Sequence, residues 1–217
     1  MDLIEILYES PRLVVCVKKA GVLSQSGKPG ERTMLALLGE QLGAPVYPVH
    51  RLDREVGGVM VYAKTAEAAA ELSRQVQQGQ MKKEYLAVVQ GSPAQTQGVL
   101  EDLLYHDAAR NKSYVVKRMR KGVKQARLSY RVLGSREGQT LLQVRLFTGR
   151  THQIRVQFAS RGVPLVGDGR YGGGSGKLAL WSVRLSLRQS GGQACSYARM
   201  PEALGSFSAF PDLEDME

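Results

Sequence analysis

The chain has 217 residues, 43% hydrophobic and 23% charged, and 30 Lys and Arg against 20 Asp and Glu leave a net charge of +10. That length supports one sizeable core, and that charge points to a polyanionic partner, because clustered cations gain free energy by displacing counterions from phosphates. No apolar run approaches the ~20 residues that span a bilayer, and the start, MDLIEILYES, lacks a basic n-region and a cleavage site.

The two cysteines, Cys16 and Cys195, stand in no metal-ligand spacing. The expectation is a soluble, cytoplasmic protein with free thiols, whose partner is nucleic acid ahead of an acidic membrane surface. Its default state is a monomer.

In chain order, LVVCVK behind Arg12 reads as a short buried strand, followed by a Gly/Ser/Lys/Pro-rich loop through Gly30. In RTMLALLGEQLG, Met34, Leu35, Leu38 and Leu42 share one helical face, and Gly43 suits the left-handed position past the end. Residues 59–64 are β-rich, Thr65 caps an alanine-rich helix that runs to Gln78, and Gly79 stops it.

After EYLAVV the chain turns mostly β, with strands expected over residues 113–119, 126–132 and 141–147. In the last, Leu142, Val144 and Leu146 face one side and Gln143 and Arg145 the other, as in a sheet with one buried face. THQIRVQFASRG reads as a helix with Thr151 as N-cap and Gly162 as stop. The loop GDGRYGGGSG leads into a final long strand, KLALWSVRLSL. The tail from Gly205, ending DLEDME, is acidic and reads as loose. Strands interleaved with a few helices, without regular βαβ alternation, indicate an α+β domain over residues 1–204. Its sheet is mixed and largely antiparallel, flanked by helices and loops, and strand ends converging on a groove would give a basic catalytic cleft.

RNKSYVVKRMRKGVKQAR carries eight basic residues and no acidic one. Read as a basic hairpin, it offers Lys112, Lys117, Arg118, Arg120, Lys121 and Lys124 to phosphates, with Tyr105 and Tyr114 as stacking partners for bases. A charge run that only keeps a turn solvated is the plainer alternative. YGGGSGKL fails as a P-loop, since Tyr171 stands where the first glycine belongs and Leu178 where a Ser or Thr binds Mg²⁺. HRLD lacks the Asn and D-F-G of a kinase. His50, His106 and His152 are far apart in sequence and form no H-E-x-x-H, so no metal is expected. Asp53, between Arg51 and Arg54, is either a surface ion pair or a carboxylate held for chemistry.

Five segments stand in a row: YESPRLVVCVKKAGVLSQSG, HRLDREVGGVMVYAKT, KKEYLAVVQG, GVKQARLSYRVL and LFTGRTHQIRVQFASRGVPLVGDGRYGG. Together they resemble the RluA-type family of RNA pseudouridine synthases over nearly all of residues 6–187. The resemblance implies the pseudouridine synthase fold and isomerisation of uridine in ribosomal or transfer RNA by base flipping, with no cofactor. It implies Asp53 as the essential carboxylate, Tyr85 as the aromatic beside the target base, and Arg155 as the basic partner of Asp53. Arg51 would fill the space left by the extruded nucleotide, and Arg150 and His152 of TGRTHQIR join the RNA-binding residues. A catalytic match starting near residue 6 implies a stand-alone catalytic domain with no preceding S4 domain. Val56-Gly57-Gly58 stands where the family usually has Thr-Ser-Gly, and Lys19, Val163 and Trp181 replace a usual Pro, His and His. That departure keeps open a non-catalytic RNA-binding module on the same scaffold. Chemistry at a ribose centre with oxocarbenium character calls for a nearby carboxylate, and Asp53 suits either attack on C1′ or removal of a ribose proton, both of which need it ionised.

Overall fold

The computed structural model describes residues 3–25, 30–189, 191–202 and 205–210. The chain divides into two compact units, the first built from residues 1–83 and 182–200 and the second from residues 84–181 and 201–217.

In the first unit, β1 (Ile6–Glu9) and β2 (Leu13–Lys18) form a hairpin, and β2 pairs antiparallel with β4 (Gly57–Ala63). The short β3 (Tyr47–Pro48) lies beside β4, and β10 (Leu180–Arg188) carries β11 (Ala194–Ala198) on its flank. Helix α1 (Met34–Leu42) starts where the Thr33 hydroxyl accepts the Ala36 N–H at 3.2 Å, and it ends at Gly43 with φ 65°. Helix α2 (Ala66–Gln77) is capped in the same way by Thr65. Leu13, Val15, Val59 and Val61 bury one sheet face against Ala68 and Leu72 of α2 and Leu185 and Leu187 of β10. At ~25 cal/mol per Å² this apolar burial is the main stabilising term. Gln75 ties α2 to the strand by exchanging hydrogen bonds with both backbone groups of Arg188, at 2.7 and 2.9 Å.

The second unit is a sheet in the order β5 (Lys82–Gln90), β9 (Gln139–Leu146), β8 (Val123–Arg136), β6 (Gln97–Asp107), β7 (Lys112–Val116). Helix α3 (Gln153–Ala159) belongs to this unit, with the Phe158 ring edge-on to Tyr130 at 5.4 Å. The fold is α+β on a mixed, largely antiparallel sheet, as expected.

Five expectations need correction. β6 is an 11-residue strand that the sequence reading passes over. Its adjacent Glu101 and Asp102 break the alternation, and Asp102 is accommodated by Arg161 at 2.9 Å and by Gln157 at 2.6 Å, both beyond the reach of a local pattern. The basic run is not a hairpin, because β7 and β8 each pair with β6 and lie on its two sides. Residues 117–122 therefore cross over β6, and Arg120 sits 5.3 Å from the Tyr105 ring, which engages a face expected to stack on a base. The N-cap of α3 is His152, not Thr151, and it caps without a side-chain hydrogen bond, in a left-handed conformation with φ 54°. KLALWSVRLSL is not the last strand, since β11 follows, and the start of the tail is ordered: residues Gly205–Ala209 form a 3₁₀ turn with Phe207 buried. Residues 211–217 of that tail lie outside the described residues. Cys16 and Cys195 are free thiols, and burial pushes Cys16 up to about 12.

Candidate active site

Asp53 lies half-buried in the loop that leads into β4, and the segment after β2 clasps that loop. The Ser24 hydroxyl accepts the Leu52 N–H at 3.0 Å and donates to the Leu52 carbonyl at 2.7 Å, which fixes the peptide unit preceding Asp53. Tyr62 donates its hydroxyl to the Ser24 carbonyl at 2.7 Å. On the other side of Asp53, Arg54 exchanges bonds with Gly21: the Gly21 N–H meets the Arg54 carbonyl at 2.8 Å, and Arg54 Nε meets the Gly21 carbonyl at 3.1 Å. Val56 N–H closes the turn on the Asp53 carbonyl at 3.1 Å.

The centre of the clasp is Lys18, a fully buried lysine at the end of β2. Its Nζ donates to the carbonyls of Val22 at 2.6 Å, Arg54 at 3.0 Å and Lys19 at 3.2 Å, a set that uses all three ammonium protons. Burial pushes its pKa down to about 8, against the pull of the Asp53 and Glu55 charges, which raise it. A cation thus sits under the Asp53 loop, within its electrostatic reach. Behind it, His50 Nε2 accepts the Val61 N–H at 3.2 Å, and burial lowers that imidazole to about 3, so the ring stays neutral. Arg51 is exposed.

In the second unit, the Gln153 side chain organises the TGR turn. Its carbonyl accepts from the Thr148 hydroxyl at 2.7 Å and the Arg150 N–H at 3.1 Å, while its amide donates to the Arg127 carbonyl at 3.1 Å. The turn delivers Arg155 to the first turn of α3, where the guanidinium makes two parallel bonds to Asp168, Nε to Oδ2 at 2.7 Å and Nη2 to Oδ1 at 2.8 Å. The two side chains are 5% and 0% exposed. The Tyr171 ring lies 5.4 Å from the Arg155 carbon, and its hydroxyl accepts the Ser113 N–H at 2.8 Å and meets His152 Nδ1 at 3.0 Å. Burial raises the Tyr171 pKa, so the phenol stays neutral. Tyr85, on β5, is buried.

Lys117, Arg118, Arg120 and Lys121 are exposed on the crossover, as is Lys124 on β8. Lys112 is half-buried with Nζ 5.3 Å from the Tyr171 ring, and Arg150 Nε donates to the Gln125 carbonyl at 2.8 Å. His152, expected among the RNA contacts, is buried and engages Tyr171. Among the described residues no three His, Cys, Asp or Glu side chains gather as metal ligands, and no helix is long and apolar enough to cross a membrane.

The family model for RNA pseudouridylate synthase covers residues 12–160. The chain belongs to that family. Among its relatives, the Nitrosomonas europaea protein named ribosomal large subunit pseudouridine synthase D is 40% identical over 175 residues, 78% of this chain and 50% of the relative. The Yersinia pestis dual-specificity RNA pseudouridine synthase RluA is 32% identical over 186 residues, 85% of this chain and 89% of the relative. In fold, the chain is similar to human RNA pseudouridylate synthase domain containing 4, with a TM-score of 0.77 at 22% identity, covering 94% of this chain and 90% of that one. The chain spans about half the length of several curated relatives, 50% of the first and 59% of a Bacillus subtilis protein.

Three residues of this pseudouridylate synthase family member escape a reading by motif. Lys18 looks like one more polar end to an apolar strand, and only its burial marks it. Asp168 and Tyr171 sit in a segment read as a Gly-rich connector. Their spacing in GDGRYGG, an acid and an aromatic between glycines, is the signal that was there to follow.

Proposed function

We propose that the chain isomerises uridine to pseudouridine in structured RNA, ribosomal or transfer, working as a monomer in the cytoplasm. The observation that carries this reading is the Asp53 loop, clasped on both sides of the aspartate by Ser24, Gly21 and Lys18. A surface ion pair needs no such bracing, whereas a carboxylate that must meet a sugar carbon needs one position. The names of the relatives, one a large-subunit rRNA enzyme and one dual-specificity, support an RNA substrate.

In the reaction the C1′–N1 bond breaks, the uracil turns, C5 bonds to C1′, and the proton on C5 leaves as N1 gains one. Atoms and electrons balance within one nucleotide, so no redox or group-carrying cofactor is needed. Asp53 acts at the ribose, while Tyr85 lies against the uracil. Arg155 is the proposed basic residue of the reaction, its guanidinium oriented by two bonds to Asp168. Flipping a paired uridine costs a few kcal/mol. Phosphate contacts from Lys112, Lys117, Arg118, Arg120, Lys121, Lys124 and Arg150 offset that, and Arg51 occupies the vacated stack.

The test is tritium release from RNA carrying C5-tritiated uridine, read together with chemical mapping of pseudouridine. Asp53→Ala abolishes release while RNA affinity stays within about threefold, since the variant loses only a group that acts at the ribose. Tritium release by the Asp53→Ala protein removes the assignment, and RNA binding without any release by the native chain points to the non-catalytic module.

A further inference from the structure

The turn that follows Leu165 is tightly closed. Gly167 N–H donates to the Gly173 carbonyl at 2.8 Å, Gly173 N–H to the Asp168 carbonyl at 2.8 Å, and Asp168 N–H to the Leu165 carbonyl at 3.1 Å. A Cβ on Gly173 would strike the Leu165 carbonyl oxygen, and one on Gly167 the Lys177 carbonyl oxygen, so this knot admits only glycine at both places. Its product is a single carboxylate, Asp168, presented at 1% exposure to Arg155.

For stability alone such a pair is a poor investment, because desolvating two charges cancels most of their attraction and an apolar pair of similar volume often does as well. For orientation it is effective. An arginine side chain has many rotamers to lose, and two parallel bonds through Nε and Nη2 fix both the plane and the direction of its guanidinium. The Tyr171 ring supports the flat face, and the Tyr171 hydroxyl is itself held by the Ser113 N–H and His152. Arg155 is thus gripped on one edge and one face by side chains of the same four-residue stretch, and the direction of its Nη1 edge follows from that grip.

We propose that Asp168 is a positioning residue for uridine isomerisation, with Tyr171 as its backing, and that its effect on rate passes through Arg155. This rests on the role of Arg155 stated above. Misplacing a reacting or stabilising group by about 1 Å costs on the order of 100-fold in rate.

Single-turnover tritium release from C5-tritiated RNA, the RNA dissociation constant and the thermal midpoint are measured together. The proteins compared are the native chain, Asp168→Asn, Asp168→Glu, Arg155→Gln, and Arg155→Gln combined with Asp168→Asn. Asp168→Asn keeps the shape and removes the charge, and its rate falls about 10- to 100-fold with RNA affinity within about twofold. Asp168→Glu keeps the charge and pushes the guanidinium off by a methylene, so it also slows while its midpoint stays near native. The double variant is no slower than Arg155→Gln, because nothing is left for Asp168 to position. A general structural role predicts instead that the two losses add. Additive losses, or a folded Asp168 variant at native rate, overturn the proposal. Should Asp168→Asn not fold, Asp168→Glu decides alone. A native chain that releases no tritium overturns the proposed function and this inference with it, whereas an active native chain with unaffected Asp168 variants overturns only the inference.

Discussion

At the residue scale, the chemistry depends on polar groups placed where water is scarce. Lys18 is the clearest case: a buried ammonium that spends its three protons on three carbonyls, one of them next to Asp53. His50 is the complementary case, a ring that stays neutral because burial disfavours its charged form, with Nε2 accepting from Val61. Its pKa lies at about 3 in the fold against 6.5 for a free imidazole, so the unfolded chain takes up a proton that the native chain refuses. The stability contributed by this group is complete above pH 6.5 and is lost as pH falls toward 3, at about 1.4 kcal/mol per pH unit. Urea midpoints for the native protein and His50→Gln from pH 8 to pH 4 test this. The native protein should lose roughly 3 kcal/mol more than the variant by pH 4, and parallel curves would remove His50 from the account. Asp53 itself was legible as a charged residue before a strand; that its loop is clasped from three sides was not, because Ser24, Gly21 and Lys18 lie some thirty residues away.

At the element scale, helix signals that are local read correctly: Thr65 caps α2, and Gly43 ends α1 in the left-handed region. Elements whose polar residues are satisfied at long range did not. β6 carries an inward Asp102 that only Arg161 and Gln157 explain, and α3 is capped by a His152 whose ring bonds to Tyr171 rather than to its own helix. Gly58 shows how a motif departure is tolerated. At the third position of the Val56-Gly57-Gly58 stretch it has φ 121°, and a Cβ there would strike the Ser182 backbone of β10. The glycine kept from the family pattern is the one the strand packing requires. Gly58→Ala should therefore cost more than about 3 kcal/mol or abolish folding, measured by urea unfolding, because backbone cannot move aside as a flexible side chain can. A loss under 1 kcal/mol would mean that β4 and β10 approach less closely than described.

At the scale of the whole molecule, the net charge of +10 is a statement about partners rather than about fold. The basic run is concentrated on a crossover that runs over β6 between two strands parallel to one another, a placement that leaves Lys117, Arg118, Arg120 and Lys121 in solvent. Replacing those four by Gln should weaken binding to structured RNA and lower the slope of log affinity against log salt by about 0.7 to 0.9 for each phosphate contact removed. Anisotropy titrations between 50 and 200 mM salt measure it, and an unchanged slope would take the crossover off the RNA path.

The sequence alone determined the net charge, the α+β character, the Thr65 cap and the Gly43 stop, and the segments that mark the family, because charge, periodicity and capping are local properties of a chain. Only the tertiary structure decided that β7 and β8 flank β6, that Lys18 lies beneath the Asp53 loop, and that Arg155 is gripped by Asp168 and Tyr171. Each of those facts is a partnership between groups distant in the chain, settled by which buried charges and carbonyls can satisfy one another once water has been removed.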